Sequence, residues 1–204
     1  MHVWKACVVA LALVLGISAP TRAADPAADR IQSFYNVLLD TMKKGPQLGM
    51  QGRFRAMEPA VDATYDLPAM IQFIVGSGWS SLTERDRTNL VAAFRRMTVA
   101  NYAGNFQKFG GEQFTVNPAV QQRGPDKIVQ TTLVPVGDKP VALTYRMRES
   151  GGSWKVIDVF LEGYVSELAT RRSDFAATLA GGGAPALVAR MDQLSNNLLN
   201  GAAK

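Results

Sequence analysis

Residues 154–175, WKVIDVFLEGYVSELATRRSDF, carry a strand-like run into a helix-like one with almost no loop between them. Up to Glu162 the period is two, with Ile157, Val159 and Leu161 on one face and Trp154, Val156, Asp158, Phe160 and Glu162 on the other. A strand apolar on both faces belongs in the middle of a sheet or under helices. After Gly163-Tyr164 the period lengthens to about 3.6, through Leu168, Phe175 and Leu179. The stretch is therefore a seam between a sheet and a helical layer.

Working back from the seam, three more strands are expected over 113–121, 127–136 and 140–148. Gly124-Pro125-Asp126, Gly137-Asp138-Lys139 and Ser150 to Ser153 separate the four runs. Connections this short make hairpins, so the sheet is expected to be antiparallel and four-stranded. The strand over 140–148 alternates Val141, Leu143, Tyr145 and Met147 with Ala142, Thr144, Arg146 and Arg148. The segment before these strands is helical. Asp25-Pro26 caps a first helix carrying Ile31, Phe34, Leu38 and Met42, which Gly45-Pro46 stops. A second spans 47–63, with Pro59 expected to bend or divide it. Asp66-Leu67-Pro68 starts a third, apolar on nearly every side through Met70, Ile71, Phe73 and Ile74. Thr83 with Asp86 caps the longest, reaching Phe109, where Leu90, Phe94, Met97 and Asn101 follow one track and Val91, Thr98, Tyr102 and Phe106 lie beside it. Beyond the seam, Gly181-Gly182-Gly183 ends one helix and Ala184-Pro185 opens the last.

Composition bounds the function. The chain has 204 residues, 47% hydrophobic and 19% charged, enough apolar content for one substantial core. Residues 1–23 read as a cleaved export signal: Lys5, an apolar run from Ala6 to Ala19 too short to span a bilayer comfortably, and Thr21-Arg22-Ala23 at the exit. The alternative is an uncleaved anchor. Cys7 stands at the very start of that run, not at its exit where a lipobox cysteine would be, so a lipoprotein is not indicated. Export leaves a single domain over 24–204 and places it in the periplasm. It also removes His2 and Cys7, the only histidine and the only cysteine. Histidine-based catalysis, disulfides and metal sites built on His or Cys are then excluded, and no metal site is expected. The formal charge of +5 falls to +3 once Lys5 and Arg22 leave. That excess is too mild for nucleic-acid binding.

Asp158 and Glu162, Tyr145 and Asp66 are the ionisable side chains in apolar contexts, and Asp158 with Tyr145 would suit proton transfer in an apolar site, as in NTF2-like enzymes. A cross-strand ion pair of Asp158 with Arg146 or Arg148 accounts for the same acid without catalysis. Methionines 57, 70, 97, 147 and 191, with many aromatics, suit either an ordinary core or an adaptable apolar pocket. Arg95, Arg171 and Arg172 suit either a solvated helix surface or a face that docks a partner.

The runs YDLPAMIQFIVGSGW (65–79), AAFRRMTVANYAGNFQKF (92–109) and the opening stretch resemble the MlaC-like family of periplasmic lipid-shuttle proteins over about 31–194. The wording DLPAM, PVALTYRMR and SELATRRSDF is closer to its hopanoid-associated HpnM branch. The phospholipid branch carries a Gly-Val-Ser-Leu type run where this chain has Gly163-Tyr164-Val165-Ser166-Glu167. The resemblance implies an α+β fold of the NTF2-like and MlaC-like kind, with an apolar cavity between the sheet and its helices. It implies a monomeric, non-enzymatic carrier without a cofactor, whose cargo is a hopanoid or a phospholipid. Its partners would be ABC-type or RND-type lipid transport components of the inner membrane and components at the outer membrane. The cavity wall it implies comprises Met70, Phe73, Ile74, Phe94, Met97, Tyr102, Leu143, Tyr145, Val159, Leu161 and Tyr164. An interaction module with a solid core is the remaining alternative.

Overall fold

The computed structural model describes residues 25–201; the export signal expected over 1–23 lies outside the described residues. Five helices and six strands follow in the order α1 (Pro26–Lys43), α2 (Gly45–Thr64), α3 (Leu67–Val75), a 3-10 turn (Gly76–Ser81), α4 (Glu84–Asn105), β1 (Gln113–Val116), β2 (Gln121–Arg123), β3 (Asp126–Val134), β4 (Val141–Ser150), β5 (Ser153–Leu161), β6 (Val165–Ser166) and α5 (Glu167–Leu199). Among the described residues no helix is long and apolar enough to cross a membrane.

The caps read from the sequence set the helix starts. Asp25 Oδ1 accepts from the Ala27 amide at 2.9 Å, Asp66 Oδ1 from the Ala69 amide at 3.1 Å, and Thr83 Oγ1 from the Asp86 amide at 3.1 Å. Two breaks fall at glycines in left-handed backbone. Gly183 (φ 63°) divides α5 where the glycine run predicts it. In α2 the break is at Gly49 (φ 60°), not at Pro59, which sits inside the helix. Only a residue without a Cβ adopts that conformation at little cost.

The sheet is antiparallel, in the order β1-β3-β4-β5-β6, with β2 also pairing β3. The expected four strands become six for two reasons. Pro118 lies in the expected first strand, and Asn117 to Val120 leave the ladder there, so that run splits into β1 and β2. After Gly163-Tyr164 the chain adds a two-residue β6 against β5 before turning into α5. Helices α1 to α5 cover one face, and the core fills the space between: Ile31, Phe34, Leu38 and Met42 of α1, Met57 and Val61 of α2, Ile71 and Ile74 of α3, Leu90 and Met97 of α4, and Val129, Met147 and Val156 of the sheet are all fully buried or nearly so.

A β-bulge in β5 overturns part of the alternation. Arg146 pairs with Asp158, but Met147 pairs with Val156, so Ile157 is skipped. Val156 is therefore the fully buried residue at that level, while Val159 keeps its inward place opposite Tyr145. The expected ion pair of Asp158 with Arg146 or Arg148 does not form. Both arginines bond Asp126 on β3, Arg146 Nε at 2.6 Å and Arg148 Nε at 2.6 Å. Asp158 instead accepts from the Ser166 hydroxyl at 2.7 Å and the Leu168 amide at 3.2 Å, which ties β5 to the first turn of α5.

Candidate functional site

A cavity of about 340 Å³ opens between α3, α4, the start of α5 and the inner face of β5. Met70, Phe94, Met97, Val159 and Leu168 form its apolar part. Thr98, Asn101, Tyr102 and Asn105 continue along α4 to its C-cap Phe106, and Glu167 and Arg171 come from α5. Residues 94, 97, 98, 101, 102 and 105 share one side of α4 by their i, i+3, i+4 spacing, so the wall changes from apolar to polar along the helix. From Phe94 to Asn105 that gradient runs over roughly 16 Å of helix axis. Leu168 and Arg171 are in place because Ser166 caps α5, its hydroxyl accepting from the Ala169 amide at 2.9 Å.

Behind Tyr102 lies a cluster of phenols. Its hydroxyl is hydrogen-bonded to that of Tyr65. Tyr35 donates to Tyr145 at 2.9 Å and lies 2.7 Å from the Thr131 hydroxyl, which in turn donates to the Leu143 carbonyl at 3.1 Å. Phe34 meets Tyr65 and Tyr102 edge-on at 5.6 and 4.9 Å between ring centroids. Burial pushes the ionisation of Tyr65, Tyr102 and Tyr145 well up and that of Tyr35 up, so all four are neutral donors and acceptors. The back of the cavity is thus polar but satisfied.

Of the wall residues implied by the resemblance, Met70, Phe94, Met97, Tyr102 and Val159 come together in this cavity. Ile74 and Tyr145 are buried in the core instead, and Leu143 packs against it. Phe73 is 47% exposed on the outer side of α3, where the Arg172 guanidinium lies 5.3 Å from its ring centre. Leu161 and Tyr164 are exposed, Tyr164 at 78%, at the turn between β5 and β6. Arg95 bonds Asp62 at 2.6 Å and Glu58 at 2.9 Å, which raises its basicity further and makes it a link between α2 and α4. Arg171, grouped with Arg95 and Arg172 as a docking charge, lines the cavity. The sequence reading missed Asn101, Asn105 and Glu167 as wall residues, although Thr98, Asn101, Tyr102 and Asn105 share a helical face.

Neither Asp158 nor Tyr145 lines the cavity. Asp158 is engaged by the α5 cap and Tyr145 by Tyr35, so the two do not converge on a shared space. A second depression, of about 420 Å³, lies along β1, β3 and β4 and is lined by Thr115, Asn117, Gln130, Thr132 and Thr144 among others. Its side chains are chiefly threonine, asparagine and glutamine with Val116, Pro118 and Ala142, none of them large and none titratable, so the smaller cavity, with its methionine and aromatic wall, is the candidate site.

The family model described as MlaC protein matches residues 32–193. Among solved structures, the chain is similar to a phospholipid-binding protein from Ralstonia solanacearum in complex with a phospholipid, at 24% identity and a TM-score of 0.73, covering 85% of this chain and 99% of that one. This likeness shows a shared fold. Among the curated proteins, none matches.

Proposed function

As the chain belongs to the MlaC protein family, we propose that it is a periplasmic lipid carrier, exported by a cleaved signal over residues 1–23. It holds the apolar part of a hopanoid or phospholipid in the cavity and passes the lipid between inner- and outer-membrane transport components, ABC-type or RND-type. It acts as a monomer and without catalysis. The observation that carries this reading is the graded cavity, apolar at Met70, Phe94, Met97, Val159 and Leu168 and polar toward Asn105 and Glu167. The similar Ralstonia protein binds a phospholipid, which supports the same cargo class here. The HpnM-like wording of 166–175 supports a hopanoid as the other candidate.

The energetics suit the role. Several hundred Å² of lipid surface, at about 25 cal/mol per Å², gives on the order of 10 kcal/mol before the costs of association. At roughly 30 Å³ per water-sized group, 340 Å³ admits about eleven such groups, part of one acyl chain. A whole lipid therefore requires the wall to yield, and the unbranched thioethers of Met70 and Met97 are suited to that.

Native mass spectrometry of the exported protein, followed by solvent extraction, tests the reading. The expected result is a mass excess that extracts as lipid. Val159→Arg places a charge in the apolar wall, and it is expected to abolish the excess while the circular dichroism spectrum stays that of a folded protein. Lipid-free wild-type protein overturns the proposal.

A further inference from the structure

The two charged side chains that line the cavity are Glu167 and Arg171, at i and i+4 on α5. A glutamate four residues before an arginine is the arrangement that pairs most readily on a helix. Yet among the described residues neither forms an ion pair or a side-chain hydrogen bond. Two arginines of α4 behave differently: Arg95 holds Glu58 and Asp62 of α2, and Arg96 holds Asp192 of α5. Glu167 in a first turn is favourable toward the helix dipole whatever its role. Arg171 has no such account, being a half-buried cation facing a cavity and left unpaired. Asn101 and Asn105 stand across from the pair on α4, each offering a carbonyl and an amide.

Resting on the lipid-carrier reading, we propose that Glu167 and Arg171, backed by Asn101 and Asn105, form a head-group site for a zwitterionic lipid, one bearing a phosphate and an ammonium. Arg171 donates to the phosphate, for which a guanidinium is the best-shaped partner. Glu167 accepts from the ammonium. The site is charge-balanced, so a head carrying only a negative charge meets Glu167 as a like charge, and a head carrying only hydroxyls leaves Arg171 without an anion. Discrimination by charge balance thus sits at the polar end, while the apolar end accepts chains by area alone.

The test uses delipidated full-length mature protein. It is mixed with vesicles holding equal parts of phosphatidylethanolamine, phosphatidylglycerol and diacylglycerol with identical acyl chains, then re-isolated, and its lipid is extracted and weighed by mass spectrometry. Phosphatidylethanolamine is expected in about fivefold excess over each of the others, the discrimination that a partly exposed charge pair supplies. Glu167→Gln is expected to bring phosphatidylglycerol level with phosphatidylethanolamine or above it. Arg171→Gln is expected to bring diacylglycerol level with phosphatidylethanolamine. Equal uptake of the three lipids by the wild type, or an unchanged ratio in both variants, overturns the head-group site while leaving the carrier intact. Uptake of no lipid at all overturns the carrier reading itself.

Discussion

Asp126 holds Arg146 and Arg148 through three bonds of 2.6 to 3.0 Å, with its own carboxylate almost wholly buried. The Arg148 guanidinium, and then Arg146, keep that carboxyl below the usual carboxylate range. Its stabilisation is therefore complete above about pH 4, where an unfolded aspartate is ionised, and is lost as pH falls through the lower folded value. Asp126→Asn is expected to cost about 1–3 kcal/mol at neutral pH, since hydrogen bonds from charged groups contribute on that scale and the arginines are half exposed. It is also expected to flatten the fall of the melting temperature between pH 5 and 2. Thermal denaturation followed across that range checks both, and an unchanged acid slope contradicts the assignment. Asp158, by contrast, stabilises the junction rather than the sheet surface, because the free amide at the start of α5 competes successfully for it.

At the scale of elements, the tightest junction is that between α1 and α2. A Cβ on Gly45 would stand 1.9 Å from the Gln107 carbonyl oxygen, in the segment after α4. Backbone cannot yield there as a side-chain tip can, so Gly45→Ala is expected to destabilise by about 1–3 kcal/mol, read as a lower urea midpoint with an unchanged slope. The helices were legible because their punctuation is local: Asp25, Asp66 and Thr83 cap as side chains within three residues of their targets. The hairpins were legible from their short polar turns. The bulge at Ile157 was not, because alternation presumes an even pleat, and an extra residue in one strand leaves no mark on the side chains around it. Nor was β6, which at two residues is too short to show a period. For the cavity, Met70, Phe94, Met97, Tyr102 and Val159 line the observed space, whereas Ile74, Leu143 and Tyr145 serve the core or its edge. An apolar side chain is required equally by a filled core and by an open wall, so sequence cannot divide them. The division comes from where α5 meets α4.

For the whole molecule, register places several exposed apolar side chains at one end. The β3–β4 turn with Val136, and the β5–β6 turn with Leu161, Tyr164 and Val165, flank the same end of β4, and Gly111 lies against Val136. Glu167 leaves the sheet there, so the polar part of the cavity and this apolar edge are neighbours. At the back of that same cavity, the phenol cluster sets a limit on the fold that has nothing to do with cargo. Four of the chain's five tyrosines belong to it. Their protons are held more tightly in the folded state, so above about pH 10 the unfolded chain releases protons that the native one keeps, and stability falls as pH rises. With four such groups the loss reaches roughly 5 kcal/mol per pH unit. In a spectrophotometric titration these four are expected to ionise together, in one steep step that coincides with the collapse of the circular dichroism signal. Four separate, gradual ionisations in a still-folded protein would contradict the cluster. Strong base, rather than heat, is then the agent that opens this molecule from the inside.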